Sequence, residues 1–137
     1  MNKTRPHPTP LSEPYWDGCR EGELRLQLCA GCGRHQFYPR IFCSHCGARE
    51  LTWEAASGRG VVASFSVIRR AISPAYEAPH AVALIDLAEG PRMMAALIDL
   101  PPESLQAGMP VTVAFEAWGD ATVMPVFRAA GETGEPE

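Results

Sequence analysis

Residues 29–47 read CAGCGRHQFYPRIFCSHCG, and the use made of the four cysteines decides how the chain is organised. Cys29-Ala-Gly-Cys32-Gly33 and Cys43-Ser-His-Cys46-Gly47 are two CxxCG units with ten residues between them. Two residues between cysteines let the backbone turn back so that both sulfurs face one ion. Two such knuckles complete a tetrahedron with Zn–S distances of about 2.3 Å. Gly33 and Gly47 can take positive φ without steric cost, a conformation expected to aim backbone N–H groups at the thiolates. The pattern predicts one structural metal ion held by Cys29, Cys32, Cys43 and Cys46. Zinc fits this donor set, and iron could fill the same four thiolates.

Other uses of these cysteines fit less well. A disulfide framework needs an oxidising compartment, and the chain has five cysteines, an odd number. A thioredoxin-type site is a single CxxC within a βαβ pattern, which is absent. His35 and His45 read as exposed knuckle residues, because four cysteines already fill the shell. Cys19 reads as a small apolar helix residue. A complete shell of four thiolates leaves no open position for water or substrate, which catalytic zinc requires. The ion is therefore expected to be a staple that supplies folding energy to a ribbon too small to hold a core unaided.

Working outward, residues 1–11 are punctuated by prolines and read as a flexible arm. Ser12 can cap a short helix reaching about Gly22, with Pro14 in its first turn. Leu24, Leu26 and Leu28 alternate with Arg25 and Gln27, a strand period leading into the first knuckle. Leu51-Thr-Trp53 suggests the strand that closes the ribbon. From Gly58 the pattern is β throughout: GRGVVASFSVIRR (58–70), HAVALIDL (80–87), RMMAALIDL (92–100), PVTVAFEAW (110–118) and TVMPVFRA (122–129). Residues 101–108 suit about one turn of helix between the third and fourth of these. Three strands, a helical break and two strands is the OB arrangement, although an SH3-like barrel also has five short strands. The predicted architecture is mainly β: an N-terminal helix and rubredoxin-like zinc ribbon (12–56), a five-stranded OB-fold barrel (57–129), and a disordered acidic tail (130–137).

Composition bounds the function. Of the 137 residues 46% are hydrophobic, enough for a packed core, yet no apolar run is long enough to span a membrane. The start, MNKTRPHPTPLSEPYW, has no apolar core region and does not read as a signal peptide, so a cytoplasmic location is expected. Net charge is −4, and residues 58–128 carry five Arg against seven acids. That is not the basic surface that a phosphate backbone requires. A single-stranded nucleic-acid binder, stacking bases on Phe65, Tyr76, Phe115, Trp118 and Phe127, is the rival reading, and the charge argues against it.

Several motifs in combination resemble one family. Pro14-Tyr-Trp-Asp, Leu24-x-Leu-Gln-x-Cys29-x-x-Cys-Gly, Gln36-Phe-Tyr-Pro-Arg40, Cys43-x-x-Cys-Gly and Ser57-Gly-Arg-Gly60 are similar to those of zinc-ribbon/OB-fold proteins that accompany thiolases. Val82-Ala-Leu-Ile-Asp-Leu, Gly108-Met-Pro-Val and Pro125-Val-Phe-Arg128 extend the match over roughly residues 13–128. The resemblance implies a non-catalytic accessory subunit, in hetero-oligomeric complex with a thiolase-fold or lipid-transfer-protein-like enzyme, helping to hold an acyl-CoA shared with that partner.

Nothing in the residues contradicts this expectation. No nucleophile stands beside its His, and no phosphate-cradling glycine loop is present. His80 has no titratable neighbour in sequence. The chain is accordingly expected not to be an enzyme, a stand-alone thioesterase included. Tyr15 and Trp16 on the helix would dock on the partner. Phe65 on the barrel, with Ile72 and Tyr76 in the 71–79 loop, would line the path of the acyl-CoA. Arg69 and Arg70 at the end of the first barrel strand could meet its phosphates.

Overall fold

A computed structural model describes residues 9–70, 80–118 and 122–130. The arm up to Pro8, the 71–79 loop with Ile72 and Tyr76, and the tail from Gly131 lie outside the described residues.

The helix α1 spans Glu13–Arg20 and ends two residues before Gly22, whose φ is +80°. Ser12 does not cap it with its side chain. Its Oγ instead accepts a hydrogen bond from the Thr9 N–H at 2.9 Å, so the preceding turn and the helix start are tied together. Ribbon strands β1 (Arg25–Cys29), β2 (His35–Gln36) and β3 (Leu51–Ala55) form an antiparallel sheet in the order β2-β1-β3. The leucine alternation in β1 holds for Leu24 and Leu26, which are buried, but Gln27 is buried too. Its amide has partners inside the ribbon, described below, and a satisfied amide can be buried where a bare one could not.

Strands β4 (Arg59–Ile68), β5 (His80–Leu87), β6 (Arg92–Leu97), β7 (Pro110–Ala117) and β8 (Val123–Ala129) close a barrel in the order β4-β5-β6-β8-β7. All neighbours are antiparallel except the β6–β8 contact, where Leu97 faces Phe127 in a parallel bridge. β6 stops three residues before Leu100, because Asp99 takes φ +57° and leaves the sheet. The break between β6 and β7 is a single 3-10 turn at Pro102–Ser104, with Leu105 buried behind it.

Ribbon and barrel share one core. Tyr15, Cys19, Leu24 and Leu26 belong to the same buried cluster as Val62, Ile85, Met93, Val111 and Phe127. The junction is close-fitting at Ser57-Gly-Arg-Gly60. A Cβ on Gly60 would lie 2.7 Å from the Asp86 carbonyl oxygen, and one on Gly58 (φ +83°) would lie 2.5 Å from Val113 Cγ1.

One irregularity reassigns side chains. β4 pairs Val62 with Ile85 and then Ser64 with Leu84, leaving Ala63 as a bulge. The sequence alternation over 58–70 is therefore broken in the middle: Val61 is exposed and Val62 buried, but beyond the bulge Phe65 and Val67 stand opposite buried Ala83 and Ala81.

Candidate functional site

The four cysteine sulfurs all lie within 4.8 Å of one another. Cys29 and Cys46 sulfurs are 3.7 Å apart, as are those of Cys32 and Cys43. A tetrahedron with bonds of about 2.3 Å has edges of about 3.8 Å, so the cage fits one zinc ion. The first cysteine of each pair is buried and the second exposed. Each buried sulfur accepts two backbone N–H bonds: Cys29 from Gly31 and Cys32, and Cys43 from His45 and Cys46, at 3.2–3.4 Å. These donors stabilise thiolate charge. Gly33 and Gly47 do take positive φ, +76° and +82°. Their own N–H groups, however, bond the carbonyls of Cys29 and Cys43 rather than the sulfurs. Zinc held here is structural, by all four thiolates.

A separate groove of about 910 Å³ runs between helix, ribbon and barrel. Tyr15 and Trp16 line it from α1, Phe37 and Tyr38 from the inter-knuckle segment, and Met93 to Leu100 from β6 and the residues after it. Its aromatic wall is built edge to face: Tyr15–Trp16 at 4.9 Å, Tyr15–Phe37 at 5.4 Å and Phe37–Tyr38 at 4.7 Å between centroids. This geometry suits the ring quadrupoles. Tyr15 is buried, one helical turn from the buried Cys19. Burial, and beyond it the neighbouring Cys19, holds the Tyr15 hydroxyl far above its ordinary range. Burial likewise pushes the Cys19 thiol up to about 11, against the lowering effect of neighbouring Tyr15.

Three titratable residues from separate parts of the chain also line the groove: His80, Asp99 and Glu116. Trp118 Nε1 donates to Glu116 Oε1 at 3.1 Å. Sequence reasoning did not group them, because they are far apart along the chain and come to border one groove only through barrel closure. The positive φ of Asp99, the only one of a non-glycine among the described residues, also has no signal in sequence.

Of the residues singled out from sequence, Tyr15 and Trp16 come together at the groove. Phe65, Arg69 and Arg70 do not line it; Phe65 is exposed on β4, and the two arginines are exposed just beyond its end. Of the aromatic residues of the nucleic-acid reading, Phe127 is fully buried and Phe115 packs on the core.

Comparison with known proteins follows the two halves. Residues 16–52 match the model of the ChsH2 rubredoxin-like zinc ribbon domain, and residues 53–116 that of the ChsH2 C-terminal OB-fold domain. A "DUF35 domain-containing scaffold protein" of Pyrococcus furiosus is 36% identical over 71% of this chain and 72% of its own length. A "probable enoyl-CoA hydratase alpha subunit" of Thermomonospora curvata is 33% identical over 85% of this chain. The chain spans only 36% of that relative's length, about a third. Among solved structures, the "Ltp2-ChsH2(DUF35) aldolase" superposes with a TM-score of 0.85 at 31% identity, covering 93% of this chain and 100% of that one. The chain is a member of the ChsH2/DUF35 family, a zinc ribbon joined to an OB-fold barrel.

These findings correct one expectation. The sequence reads as a non-catalytic accessory, not an enzyme. Two of the relatives are instead named as a hydratase subunit and as part of an aldolase. The four-cysteine shell removes zinc from chemistry, but it says nothing about the groove that His80, Asp99 and Glu116 help to line. Among the described residues, no helix is long and apolar enough to cross a membrane.

Proposed function

We propose that this chain is a subunit of a cytoplasmic enzyme acting on acyl-CoA thioesters, assembled with a thiolase-fold partner that shares the substrate. The observation that carries this reading is the aromatic groove between helix, ribbon and barrel. Its walls are apolar enough to accept an acyl chain, with a few polar groups at their edges, the usual make-up of a small-molecule site. His80, Asp99 and Glu116 give it groups able to move or position protons. The named activities of the relatives, hydration of an enoyl-CoA and an aldolase reaction, both need proton transfer, the first next to a thioester. The ribbon's part is to hold Phe37 and Tyr38 against α1, and zinc supports that wall. The reduced thiolates it needs fit a cytoplasmic setting.

Co-expression with a thiolase-fold protein tests the reading. A stable complex is expected, active on an acyl-CoA, with Trp16→Ala and Tyr38→Ala each weakening assembly or raising KM at least about fivefold, the loss expected when an aromatic anchor is truncated. A chain that neither binds such a protein nor alters its turnover of any acyl-CoA would contradict it.

A further inference from the structure

The groove is not the only recess. A second cleft of about 430 Å³ lies where the ribbon faces the turn between β5 and β6. Arg34, Arg40 and His45 line it from the ribbon, and Glu89 and Arg92 from the barrel. The lining side chains are three arginines and one glutamate, and counting Asp86, which pairs with Arg92, leaves a formal charge of +1, histidines counted neutral, in a chain whose net charge is −4.

The cationic walls are held in place by the fold. The backbone of Arg40 is pinned on both sides by buried Gln27: its N–H donates to Gln27 Oε1 at 2.9 Å, and its carbonyl accepts from Gln27 Nε2 at 3.0 Å. Ser44, another lining residue, donates its N–H to buried Gln36 at 2.8 Å. On the opposite wall, Asp86 accepts from Arg92 Nε at 2.6 Å and Nη2 at 3.2 Å. That fixes the guanidinium plane and leaves its remaining N–H groups available, since arginine carries five donors. Arg34 Nη1 lies 3.4 Å from His45 Nδ1, which uses one of its donors. Glu89 is engaged through Oε2 with the Ser57 N–H at 2.9 Å.

We propose that this cleft binds a phosphate-bearing anion, a pyrophosphate or phosphomonoester group seated between Arg34 and Arg40 on the ribbon and Arg92 on the barrel. Guanidinium forks match phosphate oxygens in geometry and charge. A rigid backbone behind Arg40 lowers the ordering entropy that binding has to overcome. The site is distinct from the aromatic groove, so its failure leaves the proposed function standing. The two recesses share Phe37 and Tyr38 as a wall, which makes CoA the natural second probe beside the free anion.

The test titrates zinc-loaded full-length protein with inorganic pyrophosphate and, separately, with CoA, at low and high salt. Heat and backbone amide shifts are followed together. Saturable binding of at least one probe is expected, weakening with salt and perturbing the amides of Arg40, Ser44 and Gly90. Binding of pyrophosphate identifies the free anion as sufficient, and binding of CoA alone identifies a nucleotide-borne phosphate. Arg34→Ala and Arg40→Ala should each weaken Kd about five- to tenfold, about 1–1.4 kcal/mol. Both residues are exposed, and retained zinc content and β signal will show that the variants fold. Glu89→Gln should tighten binding, which a purely structural role for these residues would not produce. The inference is overturned if neither probe binds at low salt, or if both arginine variants bind as the parent does.

Discussion

Gln36 donates a hydrogen bond from its amide nitrogen to Gln27 Oε1 at 2.6 Å, and both side chains are buried beneath the zinc knuckles. The pair is a hub. Gln27 holds both backbone groups of Arg40, and Gln36 accepts the N–H of Ser44. The C-terminal end of the segment between the knuckles, and the second knuckle with it, are thereby tied to the sheet.

Replacing Gln27 by Leu leaves the Gln36 amide and the Arg40 N–H and carbonyl without these partners. Each buried polar group left unpaired costs about 1–3 kcal/mol. Relief by water will reduce the sum, and a loss of about 2–4 kcal/mol is expected in denaturant unfolding. Gln27→Glu, which keeps an acceptor for two of the three bonds, should lose less at a pH where it is protonated.

Removing the metal, or substituting Cys29→Ser, should unfold the ribbon, because ion binding supplies its folding energy. The barrel's far-ultraviolet β signal is expected to remain. Its melting temperature should nevertheless fall, since Leu24 and Leu26 of the ribbon side share the barrel's core. A metal-free protein with an unchanged near-ultraviolet spectrum and unchanged complex formation would sink this prediction.

Alkaline stability should depend on Cys19. Its thiol is raised from 9.0 to about 11 by burial. Between these values the unfolded chain gives up the proton and the folded chain keeps it. The contribution is complete below the unfolded value of 9.0 and is lost as pH rises towards about 11, so unfolding free energy should decline across that window. Tyr15, raised for the same first reason, acts in the same direction at higher pH. Cys19→Ser removes the ionisable thiol, and its stability should fall less steeply over the same window. The zinc-loaded form is the one to measure.

At Gly60 a methyl group would meet the Asp86 carbonyl oxygen at 2.7 Å and Ile85 Cγ2 at 2.8 Å. Backbone of a neighbouring strand cannot step aside as a flexible side chain can. Gly60→Ala should therefore destabilise by about 1–3 kcal/mol, read as a lowered thermal midpoint with zinc retained.

Much of this architecture is legible in the chain. Two CxxCG units fix a ribbon because few other structures use that spacing, and period-two runs separated by Gly and Pro fix five barrel strands. Short β2 is not legible: His35 and Gln36 offer no alternation over two residues. Gln27 reads as a solvent-facing position, because burial of an amide depends on partners that stand well along the chain, at Gln36 and Arg40. The candidate site is less accessible still. Tyr15 and Trp16 can be marked from sequence, but the wall they form with Phe37 exists only once the ribbon is set beside the helix. His80, Asp99 and Glu116 come to line one groove through strand order, which no local pattern encodes. Phe65, Arg69 and Arg70, which the resemblance sets along the acyl-CoA path, do not line this groove.

The extra residue at Ala63 gives this strand a length reserve. Val62 and Phe65 are three positions apart, so in an unbroken strand they would point to opposite sides, and the bulge is what turns both towards the same one. A lineage that lost Ala63 would therefore keep Phe65 and Val67 on their present side, in a straighter strand. Loss of a residue from β5 across the way, at Ala83 for example, has no such slack to draw on and would turn the remainder of that strand inside out.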